Sequence, residues 1–212
     1  MNVLWLLSAT GVLGGRNRSS REGGPMDNYD ITPATSRTFN LPAGSEKVVY
    51  FASLFKTFVV KKPALGIDPG DRNMGVALVY PPNYIVTAQV RFADAADAVE
   101  RIINTVSVVT SILEAMDGVH DLDFKNVCAA VENAAVSKMF GQIELAENRA
   151  AAIQALLMKN VFRISVPPPG SIRKVVFGTA KQRAESIWPT LGHDGSSALA
   201  CALYALLKQT EE

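Results

Sequence analysis

The stretch 65–79 (LGIDPGDRNMGVALV) limits what this chain can fold into more than any other. It reads as a short buried strand, a tight turn and a second strand. Pro69 fixes its own φ and keeps Asp68 extended, and Gly70 supplies the positive φ that a sharp reversal uses. Asp68 therefore stands at the end of a rigid strand with its carboxylate held in place. Two readings follow. Either this is a plain hairpin whose Asp bonds only the turn backbone, or it carries a carboxylate on which other groups converge.

The flanking segments build an α/β domain around that strand. Residues 63–68, 73–80 and 84–92, with the turn Pro81-Pro82-Asn83, form an antiparallel meander. The spacing of Ala95, Val99, Ile102, Val106, Val109, Leu113 and Met116 predicts a helix over 94–116, closed by Gly118. Residues 127–132 form a short apolar strand ending in Glu132. A second helix covers 139–159 with Met139, Ile143, Ala146, Ala150, Ile153 and Leu157 on one face. A strand at 161–166 is stopped by Pro167-Pro168-Pro169, residues 171–188 are helical in two pieces broken near Gly178, and a last helix runs 194–207 with Leu199 and Leu203 inward. The order β-β-β-α-β-α-β-α is a mixed α/β layer architecture.

Residues 1–62 read as an N-terminal extension to this 63–212 domain. Within 1–25 an apolar run precedes Arg16, Arg18 and Arg21, the reverse of a secretory signal. An organellar transit peptide, a disordered tail, or Met26 as the working initiator remain as readings. The polar segment 30–45, with Pro33, Pro42 and Gly44, reads as loop, and 48–60 as one or two extra strands beside the main sheet. No apolar run approaches the roughly 18 residues of a membrane span. Cys128 and Cys201 lie in apolar runs without metal-ligand spacing, as buried reduced thiols of an intracellular protein do.

The formal net charge of +1 gives no whole-chain attraction to nucleic acid. Charge is unevenly spread, however. Acids dominate 94–123, while Lys138, Arg149, Lys159, Arg163, Arg173, Lys174, Lys181 and Arg183 dominate 133–183. Such a distribution gives either a face that approaches phosphates or ordinary solvated surfaces.

Three acids stand at element ends: Asp68, Glu132 and Asp194. Sites of open α/β sheets gather beyond the carboxyl ends of strands, and adjacent strands would set Asp68 beside Glu132. Three unpaired carboxylates repel one another and call for a cation. Hard oxygen donors suit Mg²⁺ or Mn²⁺, and two ions about 3.5–4 Å apart serve phosphodiester cleavage. Asp194, before Gly195-Ser196-Ser197, also reads as a helix N-cap. Ser197, one helical turn on, offers an auxiliary hydroxyl, and His193 an auxiliary group for proton transfer.

The 65–70 motif, the strand ending in Glu132, and the run 193–200 (HDGSSALA) resemble, in order and spacing, the RuvC Holliday junction resolvases over about residues 63–208. The resemblance implies an RNase H-like fold, with three antiparallel strands plus parallel strands in a mixed sheet flanked by helices. It implies a homodimer that nicks four-way DNA junctions symmetrically in recombination and repair. It also implies Mg²⁺ (or Mn²⁺), two per site, on Asp68, Glu132 and Asp194. The run 172–181 resembles the family's basic segment, so Arg173, Lys174 and Lys181 are expected at phosphates, with Lys138 as a further DNA contact. Helix 139–159 resembles the family's dimer helix, though a core-covering helix fits the same pattern. Ser197 stands where bacterial members often carry a further acid or His, with Asp71 as a candidate substitute. Ala135 replaces their wedge aromatic, with Phe140 as its candidate replacement. The alternatives are an RNase H-like nuclease, as in the YqgF type, acting on flaps, RNA or hybrids, and a non-catalytic junction-binding module. An ATPase of the actin and sugar-kinase type would need a second phosphate loop, which this chain lacks.

Overall fold

The computed structural model describes residues 30–40, 46–55, 62–70, 72–80, 84–92, 97–120, 122–133 and 142–209. In chain order these form strands β1 (Asp30–Asn40), β2 (Glu46–Phe55), β3 (Ala64–Pro69), β4 (Asn73–Tyr80) and β5 (Tyr84–Arg91). Helix α1 (Ala98–His120), strand β6 (Cys128–Val131), helix α2 (Gln142–Met158) and strand β7 (Arg163–Ser165) follow. Helices α3 (Pro169–Phe177), α4 (Ala184–Ile187) and α5 (Gly192–Gln209) end the chain. The strands make one sheet in the order β1-β2-β5-β4-β3-β6-β7. The meander β3-β4-β5 is antiparallel, with Asp68 opposite Gly75 and Gly75 opposite Gln89. β6 and β7 run parallel to β3, with Ile67 opposite Val131 and Ala130 opposite Ser165.

The central strands are apolar without alternation because both faces are covered. Leu65, Ile67, Val76 and Leu78 pack with Val109, Ile112, Leu113 and Leu156 of α1 and α2. On the opposite face Ala64, Ala77 and Val79 pack with Leu199 and Leu203 of α5 and with Ile172 and Val176 of α3. Side chains two apart share a face of a strand, so Gly66 and Asp68 belong to the α5 side. There two glycines let the helix lie on the strands. A Cβ on Gly66 would sit 1.9 Å from the Ala198 carbonyl oxygen, and one on Gly75 would sit 2.0 Å from that of Asp194.

Several sequence expectations are corrected. Segment 30–45 is not all loop: residues 30–40 form β1, which pairs with β2 at the sheet margin and shifts register between Pro33 and Thr35. An edge strand with a bulge is where a proline, lacking its N–H, is tolerated. Gly70 does not take a positive φ; among the described glycines only Gly178 and Gly192 do. Gly70 is needed for space instead, since a Cβ there would lie 2.2 Å from the Asn73 oxygen. α1 begins at Ala98, where the Asp97 carboxylate accepts from the Glu100 amide (2.8 Å), and it runs through Gly118 to His120. A lone glycine weakens a helix by about 1 kcal/mol without ending it. The buried face of α1 is Thr105, Val108, Val109, Ile112 and Leu113, while Val99 is 64% exposed. α2 buries Asn148, Ala151, Ala152, Ala155 and Leu156, leaving Ile143 72% exposed and Leu157 and Met158 exposed as well. Of the expected row, Ile143 and Leu157 thus face away from the sheet, Ile153 packs partly against the core, and Met139 lies outside the described residues.

Adding a methyl at Gly75 forces the α5 backbone off the sheet. Gly75→Ala is expected to cost about 1–3 kcal/mol or more in urea unfolding. Gly170→Ala, in the first turn of α3 where a Cβ meets nothing within 4 Å, is expected to be neutral or to stabilise by up to about 1 kcal/mol. Equal effects at the two positions would contradict the close-approach account.

Candidate metal centre

Asp68 is delivered to the α5 side of β3, one residue beyond the last register pair with β6. The next residue of that neighbouring strand, Glu132, donates its amide to the Ile67 carbonyl (2.8 Å). The two carboxylates therefore leave the ends of adjacent parallel strands side by side. The third arrives from α5. Its first turn is entered through Gly192 at φ 66°. The turn is pinned by the Gln89 side-chain amide donating to the Leu191 carbonyl and by the Ser196 hydroxyl donating to the Trp188 carbonyl (2.9 Å). Asp194 is the third residue of the helix rather than its opening residue, and its carbonyl rests over Gly75.

Ligand-capable atoms of Asp68, His193 and Asp194 lie within 4.8 Å of one another. Glu132 adjoins Asp68 but stands outside that tight group. The Ser197 hydroxyl lies close enough to Asp68 to lower its pKa, so the residue at the departure from the family pattern faces the central carboxylate. His193 is exposed, with its Nδ1 2.6 Å from Glu185 Oε2.

These acids are buried at an electrostatic cost. Asp68 is pushed up to about 6, first by burial and then by Asp194, against the opposing influence of His193 and the Ser197 hydroxyl. Glu132 is pushed up to about 8 by burial and then by Asp68, opposed by Arg173 and by the Cys201 thiol. That thiol donates weakly to Glu132 Oε2 (3.9 Å). Asp194 is raised by burial and lowered by His193. Cys201 is itself pushed up by burial and by the charges of Glu132 and Asp68. Among the described residues, no Lys or Arg forms an ion pair with Asp68, Glu132 or Asp194. Three clustered carboxyls with an adjoining imidazole and no paired basic side chain match the donor set of a hard or borderline divalent cation.

Of the other expected positions, Arg173 lies on α3 close enough to Glu132 to lower its pKa, with its Nε donating to the Pro169 carbonyl (3.2 Å). Lys174 and Lys181 are exposed. Asp71, Lys138 and Phe140 lie outside the described residues. Sequence reasoning missed Glu185, Gln89, Cys201 and Asn148. Asn148 carried a signal, as an amide within an otherwise apolar helix face.

No protein-family model matches the chain, and no curated protein matches it. Among solved structures, Thermus thermophilus RuvC superposes with a TM-score of 0.51 at 16% identity, covering 70% of this chain and 96% of that one. T. thermophilus RuvC in complex with Holliday junction substrate gives 0.48 at 18% identity, covering 71% and 96%. The chain has a RuvC-like fold. Its β5-β4-β3-β6-β7 sheet with flanking helices is the RNase H-like α/β arrangement, here widened by β1 and β2.

In this RuvC-like chain the raised carboxyls set the sign of the pH dependence. Between the ordinary carboxyl range near pH 4 and the elevated native values near 6 and 8, the native state binds more protons than the unfolded state. Stability of the metal-free protein must then fall as pH rises through that window. Thermal unfolding in EDTA is expected to give a lower Tm at pH 8 than at pH 5, with Asp68→Asn reducing the difference. A metal-free Tm that rises over this range would contradict the burial of these acids.

Proposed function

We propose that this chain is a structure-selective DNA endonuclease that resolves four-way junctions by paired nicking as a homodimer. The observation that carries the reading is the convergence of Asp68 and Asp194 with His193, beside Glu132, at the carboxyl end of β3 and without basic side chains in ion pairs to the acids. Mg²⁺ or Mn²⁺ ions, two per site on Asp68, Glu132 and Asp194, would supply water activation and stabilise the leaving oxygen. The chain's own groups do the rest. Ser197 would steady the Asp68 carboxylate through its nearby hydroxyl, and His193, steadied by Glu185, would exchange a proton with the attacking water. Arg173, Lys174 and Lys181 would bind flanking phosphates, with Lys138 and Phe140 as further candidate DNA contacts. Phosphate contacts of this kind make affinity fall with salt, and junction choice would follow DNA shape.

A homodimer suits a junction of two-fold symmetry, which needs two sites. The exposed apolar side chains of α2, Ile143 and Leu157, and those of α1, Val99 and Ile103, support pairing through this helix. No described helix is long and apolar enough to cross a membrane. The reading places the protein with DNA inside the cell, whereas targeting by residues 1–25 falls outside the described residues.

A synthetic four-way junction, offered with linear duplex and an RNA–DNA hybrid as competitors, tests the activity. Mg²⁺-dependent cleavage confined to the junction is expected. Asp68→Asn and Glu132→Gln should each lower nicking by on the order of 10³-fold or more while junction binding persists. Nicking by either variant at the wild-type rate would sink the site, and preferential cleavage of the hybrid would replace the substrate. For assembly, Ile143→Asp is expected to yield a folded monomer in sedimentation; an unchanged dimer would move the interface elsewhere.

A further inference from the structure

Three consecutive residues of α2 each make a polar link out of the helix. Glu147 pairs with Arg101 of α1 (3.2 Å). Asn148, with 0% of its surface exposed, donates from Nδ2 to the Gly70 carbonyl (2.7 Å) and accepts on Oδ1 from the buried Thr105 hydroxyl (3.2 Å). Arg149 donates from Nη1 to the Asn133 side-chain oxygen. Gly70 is two residues past Asp68, and Asn133 is one past Glu132. The helix thus grips the chain just beyond both strand-end carboxylates.

Burying an amide in a face otherwise made of Ala151, Ala152, Ala155 and Leu156 costs desolvation that an aliphatic residue would avoid. The amide's donor is spent on the turn that follows Asp68. Asn133 is held from a second side as well, its amide donating to the Pro167 carbonyl (2.9 Å). We propose that Asn148 and Arg149 are positioning residues that fix the separation of the Asp68 and Glu132 carboxylates. They touch neither acid and act through the backbone of the two strand ends. This assignment rests on the metal-site reading above and adds to it the part that sets the geometry. It also makes α2 a two-sided element, with its outward face proposed for the partner copy and its inward face tied to the site.

The test is Mn²⁺ alone, titrated into the full-length protein with free ion read by electron paramagnetic resonance. Urea unfolding of each metal-free variant runs in parallel. Arg149→Met and Asn133→Ala are each expected to weaken Mn²⁺ binding about tenfold, the double variant no more than either single, with Arg149→Lys recovering most of the loss. Asn148→Leu, close in size and uncharged, is expected to weaken binding at least as much, with some loss of metal-free stability because the buried Thr105 hydroxyl and the Gly70 carbonyl lose their partner. If it does not fold, the Arg149 and Asn133 variants decide. Wild-type binding with all folded variants within about twofold of it would overturn the positioning role and leave the metal site standing. Weakened binding that merely tracks lost stability, with no rescue by Lys, would overturn it too. A wild-type protein that binds no Mn²⁺ would remove the metal site itself, and this assignment with it.

Discussion

Everything at this site depends on how closely α5 lies on β3 and β4. Helices ordinarily stand off a sheet by the depth of the side chains between them. Here Gly66 and Gly75 remove those side chains, and Ala198, Cys201 and Ala202 keep the facing surface of the helix small. The helix backbone comes down onto the strands, and its first turn is drawn level with the end of β3. Asp68 and Asp194 come together for that reason, and no flexible loop has to carry either of them. Gln89 and Ser196 fix the helix entrance, holding the first turn that carries Asp194.

The same closeness makes the site costly. Burial is the first cause of the raised pKa at Asp68, Glu132 and Asp194, and mutual repulsion comes next where acids face acids. A core selected for stability alone would hold apolar groups at these positions. Groups that weaken the fold and point at one another are the usual signature of a site kept for chemistry. The partial offsets are specific: His193 and the Ser197 hydroxyl at Asp68, Arg173 and the Cys201 thiol at Glu132. None supplies a full positive charge in contact, and this is the electrostatic argument for a divalent cation. The RuvC-like fold is the frame for that argument, while the chemistry has to be read from these residues.

Much of this was legible in the chain. The meander over β3, β4 and β5 followed from apolar runs cut by Pro69-Gly70 and Pro81-Pro82. The three acids stood out because each lay where an element stops. Other features were hidden for physical reasons. α2 carries small or apolar residues on both sides, so its pattern did not say which side meets the sheet. The row through Ile143 and Leu157 turned out to face outward, and Ala152, Ala155 and Leu156 turned inward. β1 was obscured by its polarity and by Pro33, both acceptable only because the strand lies at the margin of the sheet. Gly70 looked like a conformational residue and serves as a spacing one. The bonds from Glu185 to His193 and from Asn148 to Gly70 join residues that no local pattern connects.

The central claim is that the close approach of α5 builds a cation site between strand-end carboxylates. Anomalous diffraction from crystals of the full chain grown with Mn²⁺ tests it most directly. The account predicts a peak in contact with the Asp68 and Asp194 carboxylates, on the Glu132 side of β3. Ordered, empty carboxylates at saturating Mn²⁺, or a peak held by other residues while Asp68 stays protonated and unbound, would contradict it.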